Sequence, residues 1–231
     1  MTEAVLSVRI AIDPKGDARG LQLDVAFEVP PGVTVLFGPS GAGKSRTLAC
    51  IAGLLRPDRG RVSLGDAIWF DAERGAELAI HERRVAYVFQ SLALFPHMTA
   101  AENVAYGIPR GVAPDERRQR ALEMLTKMHV PKLADRKPRT FSGGEAQRVA
   151  LARAFAMKPQ AVLLDEPFSA LDAVVKGELL REVGEQLAKE HVPTILVTHQ
   201  PEDAEILGER VVFLEKGRVS KTKSMSDAPF R

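Results

Sequence analysis

The sequence predicts an α/β fold in which a parallel sheet core carries a small antiparallel β subdomain and an inserted helical subdomain. A glycine-rich loop at 38–45 lies between an apolar run and a helical run, as in a strand-to-helix turn. Apolar strands and amphipathic helices alternate through 161–214, which is typical of a doubly wound sheet. The stretch at about 92–158 has helical patterns and no strand pattern, so it predicts the inserted subdomain.

The antiparallel subdomain is predicted from the first part of the chain. Apolar and polar residues alternate loosely from Val5 to Val29, and a turn signal follows at Pro30–Gly32. Strand patterns resume at Arg61–Leu64 and at Asp66–Phe70. We expect these pieces to form a small sheet beside the main one.

The parallel core is predicted from four short apolar runs. Continuous apolar strands are typical of a parallel sheet that is covered on both faces. Asp172 is a good N-cap for a helix that follows one of these strands, and Pro201 is a good first residue for another helix. The runs are Val85–Phe89, Ala161–Leu164, Thr194–Val197 and Val211–Leu214.

The composition is that of an ordinary globular protein of 231 residues, with 45% apolar and 27% charged residues. No run approaches the roughly 18 apolar residues that a membrane span needs. The net charge of +2 gives no indication of a nucleic-acid partner. Because the first residues lack the basic and apolar regions of an export signal, we expect the chain in the cytosol.

Several polar side chains are predicted to have no role in chemistry. Cys50 falls in a helical apolar pattern that extends to Leu54, so we expect a packed core thiol. The clusters Arg83–Arg84 and Arg117–Arg120 are predicted to be solvated. Four histidines match no motif and are predicted to lie at the surface: His81, His97, His129 and His191.

The glycine-rich loop has the pattern of a phosphate-binding turn. Glycines let successive backbone N–H groups point inward, and the helix that follows adds the positive end of its dipole. Lys44 is suited to reach the β- and γ-phosphates of a nucleotide, and Ser45 to ligate Mg²⁺. The candidate binding residues are Gly38, Pro39, Ser40, Gly41, Ala42, Gly43, Lys44 and Ser45.

Two acids end the apolar run at 161–164. Because strand ends of parallel sheets face the ligand crevice, Asp165 and Glu166 are expected near the phosphates. Asp165 would hold Mg²⁺, directly or through water, and Glu166 would deprotonate the attacking water.

Further groups for the γ-phosphate are predicted at other strand and helix ends. Phosphoryl transfer depends on charge stabilisation, so several donors should converge there. Gln90 follows one apolar run and His199 follows another. Ser142, Gly143 and Gly144 open a helix and form a second candidate anion site.

These motifs, in their order and spacing, resemble the ATP-binding subunits of ABC transporters across nearly the whole chain. The resemblance implies a P-loop NTPase (RecA-like) core and a single nucleotide-binding domain over 1–231. The motifs that carry it are Gly38–Ser45, Gln90, Phe141–Glu145, Leu164–Pro167, Ser169-Ala170-Leu171-Asp172 and Thr198-His199.

The resemblance also implies cofactors and roles. ATP and Mg²⁺ would bind at the interface of a head-to-tail homodimer, each ATP held by one subunit's loop and covered by the partner's residues 142–145, with Glu145 among them. Glu166 would be the general base, and His199 would contact the γ-phosphate. Gln90 would sense Mg²⁺ and the attacking water, and Asp172 would couple the two sites.

The segment Arg83–Thr99 resembles the importer branch, whose subunits sit peripherally on the cytoplasmic face of the membrane. Such subunits dock on integral-membrane permease subunits and act indirectly with an external substrate-binding protein. In this chain, the resemblance implies docking through residues 90–97 and the helical subdomain. Phe70–Gly75, Glu82–Arg84 and Glu145 are most similar to the molybdate-type subunits. Sulfate, iron and polyamine importers share much of this pattern, so these substrates are alternatives to molybdate.

Some features depart from the family. No C-terminal regulatory β-domain is expected here. No aromatic residue stands where adenine is usually stacked; Arg19 is either a substitute through a cation–π contact or solvated. Arg46 replaces a small hydroxyl residue, and its side chain either touches the α-phosphate or points to solvent. A non-transport ABC ATPase acting on DNA or ribosomes, and an exporter cassette, are the competing functions.

Overall fold

The computed structural model describes residues 4–14, 22–109, 111–169, 171–227 and 230. Its helices are α1 Lys44–Ala52, α2 Ala100–Tyr106, α3 Pro114–Lys127, α4 Gly143–Ala156, α5 Ala173–Glu190 and α6 Pro201–Leu207. Its strands are β1 Leu6–Ile12, β2 Leu23–Val29, β3 Gly32–Phe37, β4 Arg59–Leu64, β5 Ala67–Asp71, β6 Ala76–Glu77, β7 Val85–Val88, β8 Ala161–Asp165, β9 Pro193–Thr198, β10 Arg210–Glu215 and β11 Arg218–Ser224.

The parallel part of the sheet has the order β10-β3-β9-β8-β7. Every residue of β8 and β9 is buried, as expected for strands covered on both faces. For β7 this prediction is wrong, because β7 is the edge strand and its Val85 and Tyr87 are only half-buried. The predicted α/β core is confirmed, and β3, β7, β8 and β9 all point their carboxyl ends at the same edge.

The antiparallel strands are continuous with this sheet. β1 pairs with β2 on one side and with β4 on the other, and β5 extends the ladder. The predicted separation into a small sheet beside the main one needs correction, because β11 bridges the two parts. The connection is narrow: β11 pairs with β2 only at Arg218 and Asp24.

Helices α2, α3 and α4 lie between β7 and β8 in the chain and pack on one another around a shared apolar core. Val104, Leu125 and Val149 are fully buried members of that core. The buried Asn103 side chain accepts from Phe95 N at 2.8 Å and donates to Phe95 O at 3.1 Å, which ties the segment before α2 to that helix. Across the described residues, each helix is too short or too polar to cross a membrane.

The prediction that Arg83 is solvated is wrong, since its side chain is 1% exposed. Its guanidinium donates to Ile51 O at 2.8 Å and to Cys50 O at 3.2 Å, two carbonyls of the last turn of α1. A cation is favourable there because the last helical carbonyls have no partner within the helix and carry the negative end of the dipole. Burial lowers the pKa of Arg83, but arginine keeps its charge.

Other surface predictions have mixed outcomes. Cys50 is buried, and burial raises the pKa of its thiol to about 12, so the core assignment is confirmed. Leu54 is 50% exposed because α1 ends at Ala52, before the apolar pattern does. Arg117 is half-buried and donates to Ala105 O at 2.9 Å, so it is not simply solvated. All four histidines named above are exposed, as predicted.

Candidate nucleotide site

The glycine-rich loop turns the chain from β3 into α1. Gly41 and Gly43 have φ values of 81° and 104°, which side-chain-bearing residues rarely adopt. Gly38 is required for a different reason, because a Cβ there would lie 2.1 Å from Leu214 O on β10. The loop therefore lies against the end of the sheet with its backbone turned toward the start of α1.

Lys44 is buried at the base of the loop. Its ammonium donates to Gly38 O at 2.8 Å and to Pro39 O at 2.9 Å, so the loop's own carbonyls hold it. Burial lowers the pKa of Lys44, and the carboxylates of Glu166 and Asp165 act in the opposite direction.

A cavity of about 500 Å³ opens over the loop. Arg46 is half-buried and lines it, which fits the reading that its side chain faces the phosphates. The cavity is lined by Ser40, Gly41, Gly43, Lys44, Ser45, Arg46 and Glu166.

Asp165, at the end of β8, is held by two hydroxyl groups. Ser45 Oγ donates to its Oδ1 at 3.0 Å, and Tyr87 Oη donates to its Oδ2 at 3.1 Å. Burial raises the pKa of Asp165, while these hydrogen bonds and Lys44 oppose that rise. Sequence reasoning missed Tyr87; the signal was a hydroxyl group in the apolar strand that pairs with β8.

Glu166 has a left-handed backbone conformation, with φ 46°. Neighbouring contacts fix it there: Glu166 N donates to Val197 O at 3.0 Å, and Ser169 Oγ donates to Glu166 O at 3.0 Å. The turn directs the carboxylate back over the loop, where it lines the cavity. A non-glycine residue in this region costs about 1–3 kcal/mol, which is tolerated mostly at functional sites.

The structure brings Gln90 and His199 to the same carboxylate. Gln90 Nε2 donates to Glu166 Oε2 at 3.4 Å, and His199 Nδ1 lies 3.3 Å from Glu166 Oε1. Each residue follows the carboxyl end of a strand that lies beside β8 in the sheet. Three groups suited to binding and deprotonating a water molecule therefore meet at the Glu166 carboxylate, and Glu166 lines the cavity.

The second candidate anion site lies apart from this cavity within one chain. Ser142 and Glu145 form a capping box at the start of α4: Glu145 N donates to Ser142 Oγ at 3.3 Å, and Ser142 N donates to the Glu145 carboxylate at 2.8 Å. The N–H groups of Gly143 and Gly144 take no part in that box. A Cβ on Gly144 would lie 2.7 Å from Val175 Cγ1, so α5 requires glycine there as well.

Asp172 is the N-cap of α5, as predicted, and accepts from Val175 N at 3.1 Å. Asp172 is not among the described residues that line the cavity of the same chain. Ala170 and Arg19, which carry two of the sequence-based expectations, lie outside the described residues.

The donor set at Ser45 and Asp165 fits Mg²⁺. This ion prefers oxygen ligands, usually one or two from protein, and keeps water and phosphate oxygens as the others. A hydroxyl and a carboxylate oxygen 3.0 Å apart beside a phosphate loop supply such a pair. Gln90, the third residue predicted to take part in binding Mg²⁺, donates its amide N–H to Glu166.

The chain is similar to several curated import proteins. It is 43% identical over 212 residues to the molybdenum import ATP-binding protein ModC of Mycobacterium tuberculosis, covering 89% of this chain and 58% of that protein. It is 40% identical over 210 residues to the probable sulfate/thiosulfate import ATP-binding protein CysA of Chlorella vulgaris, covering 89% and 86%. The chain thus spans little more than half of the first relative's length.

Solved structures and a family match agree with these relatives. The dimeric structure of a bacterial ABC transporter cassette has a TM-score of 0.80 and 28% identity, covering 96% of this chain and 98% of that one. A post-hydrolysis state of that cassette, bound to ADP and Pi, has the same TM-score and 29% identity. The ABC transporter family matches residues 23–169, which confirms the resemblance drawn from the motifs. The chain therefore belongs to the ABC transporter family.

Proposed function

We propose that this chain is the ATP-hydrolysing subunit of an ABC importer. The observation that carries the proposal is the meeting of Gln90 and His199 at Glu166, beside a phosphate loop whose Ser45 contacts Asp165. A loop alone indicates nucleotide binding. The Glu166 carboxylate lines the cavity and is contacted by an amide and an imidazole, which adds a means of activating water.

In the proposed reaction Lys44 moves its hydrogen bonds from the loop carbonyls to phosphate oxygens. Glu166 accepts a proton of the water that attacks the γ-phosphorus, and Gln90 and His199 orient that water and the γ-phosphate. The bond between the γ-phosphorus and the β–γ bridging oxygen breaks, and ADP and inorganic phosphate leave. Ser45 and Asp165 would hold Mg²⁺, which when bound supplies positive charge to the phosphate oxygens. Arg46 adds a further positive charge at the cavity wall.

We further propose a head-to-tail homodimer with two ATP molecules at its interface. Ser142, Gly143 and Gly144 lie away from the chain's own cavity at the start of α4, and the N–H groups of Gly143 and Gly144 take no part in the capping box. A second copy would bring them over the nucleotide, with Glu145 and Asp172 at the same interface. The similarity to a dimeric cassette supports this arrangement.

The proposed membrane partner is a permease, bound by a groove beside α2. The groove has a volume of about 450 Å³ and lies between α2 and α3. Tyr106 is 54% exposed there and packs on Phe95 at 4.6 Å between ring centroids. Arg153 donates to Leu92 O and Ala93 O, which ties the segment after Gln90 to α4. This position would place the chain on the cytoplasmic face of the membrane.

For the cargo we propose molybdate, delivered by an external substrate-binding protein. Identity alone does not separate the two cargoes, because the chain is 43% identical to a molybdenum import protein and 42% identical to a sulfate/thiosulfate import protein. The choice of molybdate is supported by Phe70–Gly75, Glu82–Arg84 and Glu145, which resemble the molybdate-type subunits. Uptake of labelled molybdate in cells with and without the gene tests this choice, with excess sulfate as competitor. Uptake that sulfate abolishes would contradict molybdate and favour sulfate.

The test of the enzymatic proposal uses the purified chain with ATP and Mg²⁺. Glu166→Gln should lower steady-state phosphate release by about 10²–10⁴-fold, because the general base is lost, while nucleotide binding persists. Lys44→Ala should lose nucleotide binding itself. Phosphate release by Glu166→Gln at the wild-type rate would overturn the assigned mechanism.

A further inference from the structure

A buried ion pair joins α5 and α6, the helices that follow Asp172 and His199 in the chain. Lys176 is in the first turns of α5, one turn after Asp172, and Asp203 is in the first turn of α6. Lys176 Nζ lies 2.5 Å from Asp203 Oδ1, and the two side chains are 12% and 4% exposed. A buried ion pair depends more on its geometry than an exposed pair does, because its charges are largely removed from water.

The same pair fixes the turn that carries His199. Thr198 Oγ1 donates to the other Asp203 oxygen at 3.1 Å and accepts from Gln200 N at 3.1 Å. Lys176 also donates to the Gln200 side chain. The residues on both sides of His199 are therefore tied to Asp203 and Lys176.

The His199 side chain is half-exposed, at 50%. Among the residues that the structure describes, its polar contact is with Glu166, with Nδ1 3.3 Å from Oε1. An exposed imidazole takes its direction from the backbone that carries it, and that backbone is held from behind by the pair. A displacement of this turn would change the distance between His199 and Glu166.

We propose that Lys176 and Asp203 are positioning residues that orient His199 toward Glu166 and link it to α5, the helix capped by Asp172. The inference rests on the proposed function, since it assigns a role in the same hydrolysis. It implies that a shift of α5 at the dimer interface moves the His199 turn as well. Neither residue touches nucleotide in this assignment.

The test measures ATP hydrolysis and nucleotide affinity of the full chain. Lys176→Met should lower kcat about tenfold with KM and nucleotide affinity unchanged, because a misplaced group affects the reaction more than binding. Lys176→Arg should restore most of kcat, since it keeps the charge. Lys189→Met, an exposed lysine on the same helix, is the matched control and should keep the wild-type kcat.

A double-variant comparison separates positioning from general stability. In a His199→Ala background, Lys176→Met should cause no further fall in kcat, because the group that it positions is already absent. Thr198→Val removes one hydroxyl from the same network at nearly constant shape, and it provides the test if Lys176→Met does not fold. It should lower kcat about threefold, again only when His199 is present.

The outcomes are distinct. Wild-type kcat in folded Lys176→Met or Thr198→Val, or an equal fall with and without His199, would overturn the positioning role. A wild-type chain without ATP hydrolysis would instead refute the proposed function.

Discussion

Tyr87 and Ser45 occupy the two oxygens of one buried carboxylate, with Tyr87 Oη 3.1 Å from Asp165 Oδ2 and Ser45 Oγ 3.0 Å from Asp165 Oδ1. Both donors are hydroxyls, which accept hydrogen bonds as well as donate them. These two hydrogen bonds therefore hold the Asp165 carboxylate in place. Burial nevertheless raises the pKa of Asp165, because it disfavours the charged carboxylate.

Replacing Asp165 with asparagine should stabilise the nucleotide-free protein at neutral and alkaline pH. A folded-state pKa above the unfolded value means that the folded protein disfavours the charged form, so stability falls as pH rises through that range. Asparagine removes the charge and can still bond both hydroxyls. Urea unfolding measured upward from about pH 4, the ordinary pKa range of an aspartate, should show an advantage of the variant that grows with pH until Asp165 is ionised in the folded protein and then stays constant.

The control for this comparison is Asp66→Asn, which changes an exposed carboxylate and should have no such effect. A variant that is less stable than the wild type at alkaline pH would contradict the prediction. Hydrolysis should be lost in Asp165→Asn whatever its stability.

Arg83→Met should destabilise the protein by roughly 2–4 kcal/mol, because three backbone carbonyls lose a charged donor in a buried place. Chemical unfolding measures the difference. The adjacent Arg84 is exposed and donates to Lys158 O, so Arg84→Met should change stability by less than about 0.5 kcal/mol. Equal losses for the two variants would contradict the structural role of Arg83.

Gly143→Ala should lower ATP hydrolysis at least about tenfold without loss of stability. Among the residues that the structure describes, its new Cβ would come no closer than 3.8 Å, to Leu171 Cδ2, and alanine favours helix. In the proposed dimer, the nucleotide held by the partner copy would meet this Cβ. Thermal unfolding and phosphate release check the two halves of this prediction.

Gly144→Ala is the matched comparison, since its Cβ would meet Val175 and cost about 1–3 kcal/mol of stability. Undiminished hydrolysis by Gly143→Ala would contradict the proposed dimer interface.

Tyr106→Asp should weaken co-purification with the permease and leave phosphate release by the isolated chain unchanged. The residue is an exposed aromatic on the groove wall, and a carboxylate there removes apolar contact area. Ile80→Asp changes a similarly exposed apolar residue outside the groove and should leave co-purification intact. If Ile80→Asp has the larger effect, the docking surface is elsewhere.

The sequence correctly predicted that side chains at the ends of neighbouring strands lie close together. Glu166, Gln90 and His199 follow three strands whose carboxyl ends share an edge, so their proximity follows from the topology alone. Their roles in hydrolysis stay predictions. The capping function of Asp172 was also predicted, because an N-cap acts on residues that are near in sequence. For Ser142 the sequence predicted the helix start but not the capping box with Glu145.

What the sequence did not reveal depends on contacts between distant segments. Arg83 is an arginine beside another arginine, and nothing local indicates that it binds carbonyls some 30 residues earlier. Tyr87 could only be found once β7 was paired with β8. The ion pair of Lys176 and Asp203 joins two helices whose charges both look solvated in sequence.

The left-handed conformation of Glu166 has a consequence for protein engineering. Glycine adopts that conformation without penalty, so a library screened only for heat resistance would enrich glycine at position 166. Under the proposed role of Glu166 as general base, such a screen would select variants that are more stable and that no longer hydrolyse ATP. Selection for thermal tolerance in this protein therefore has to be paired with a turnover assay.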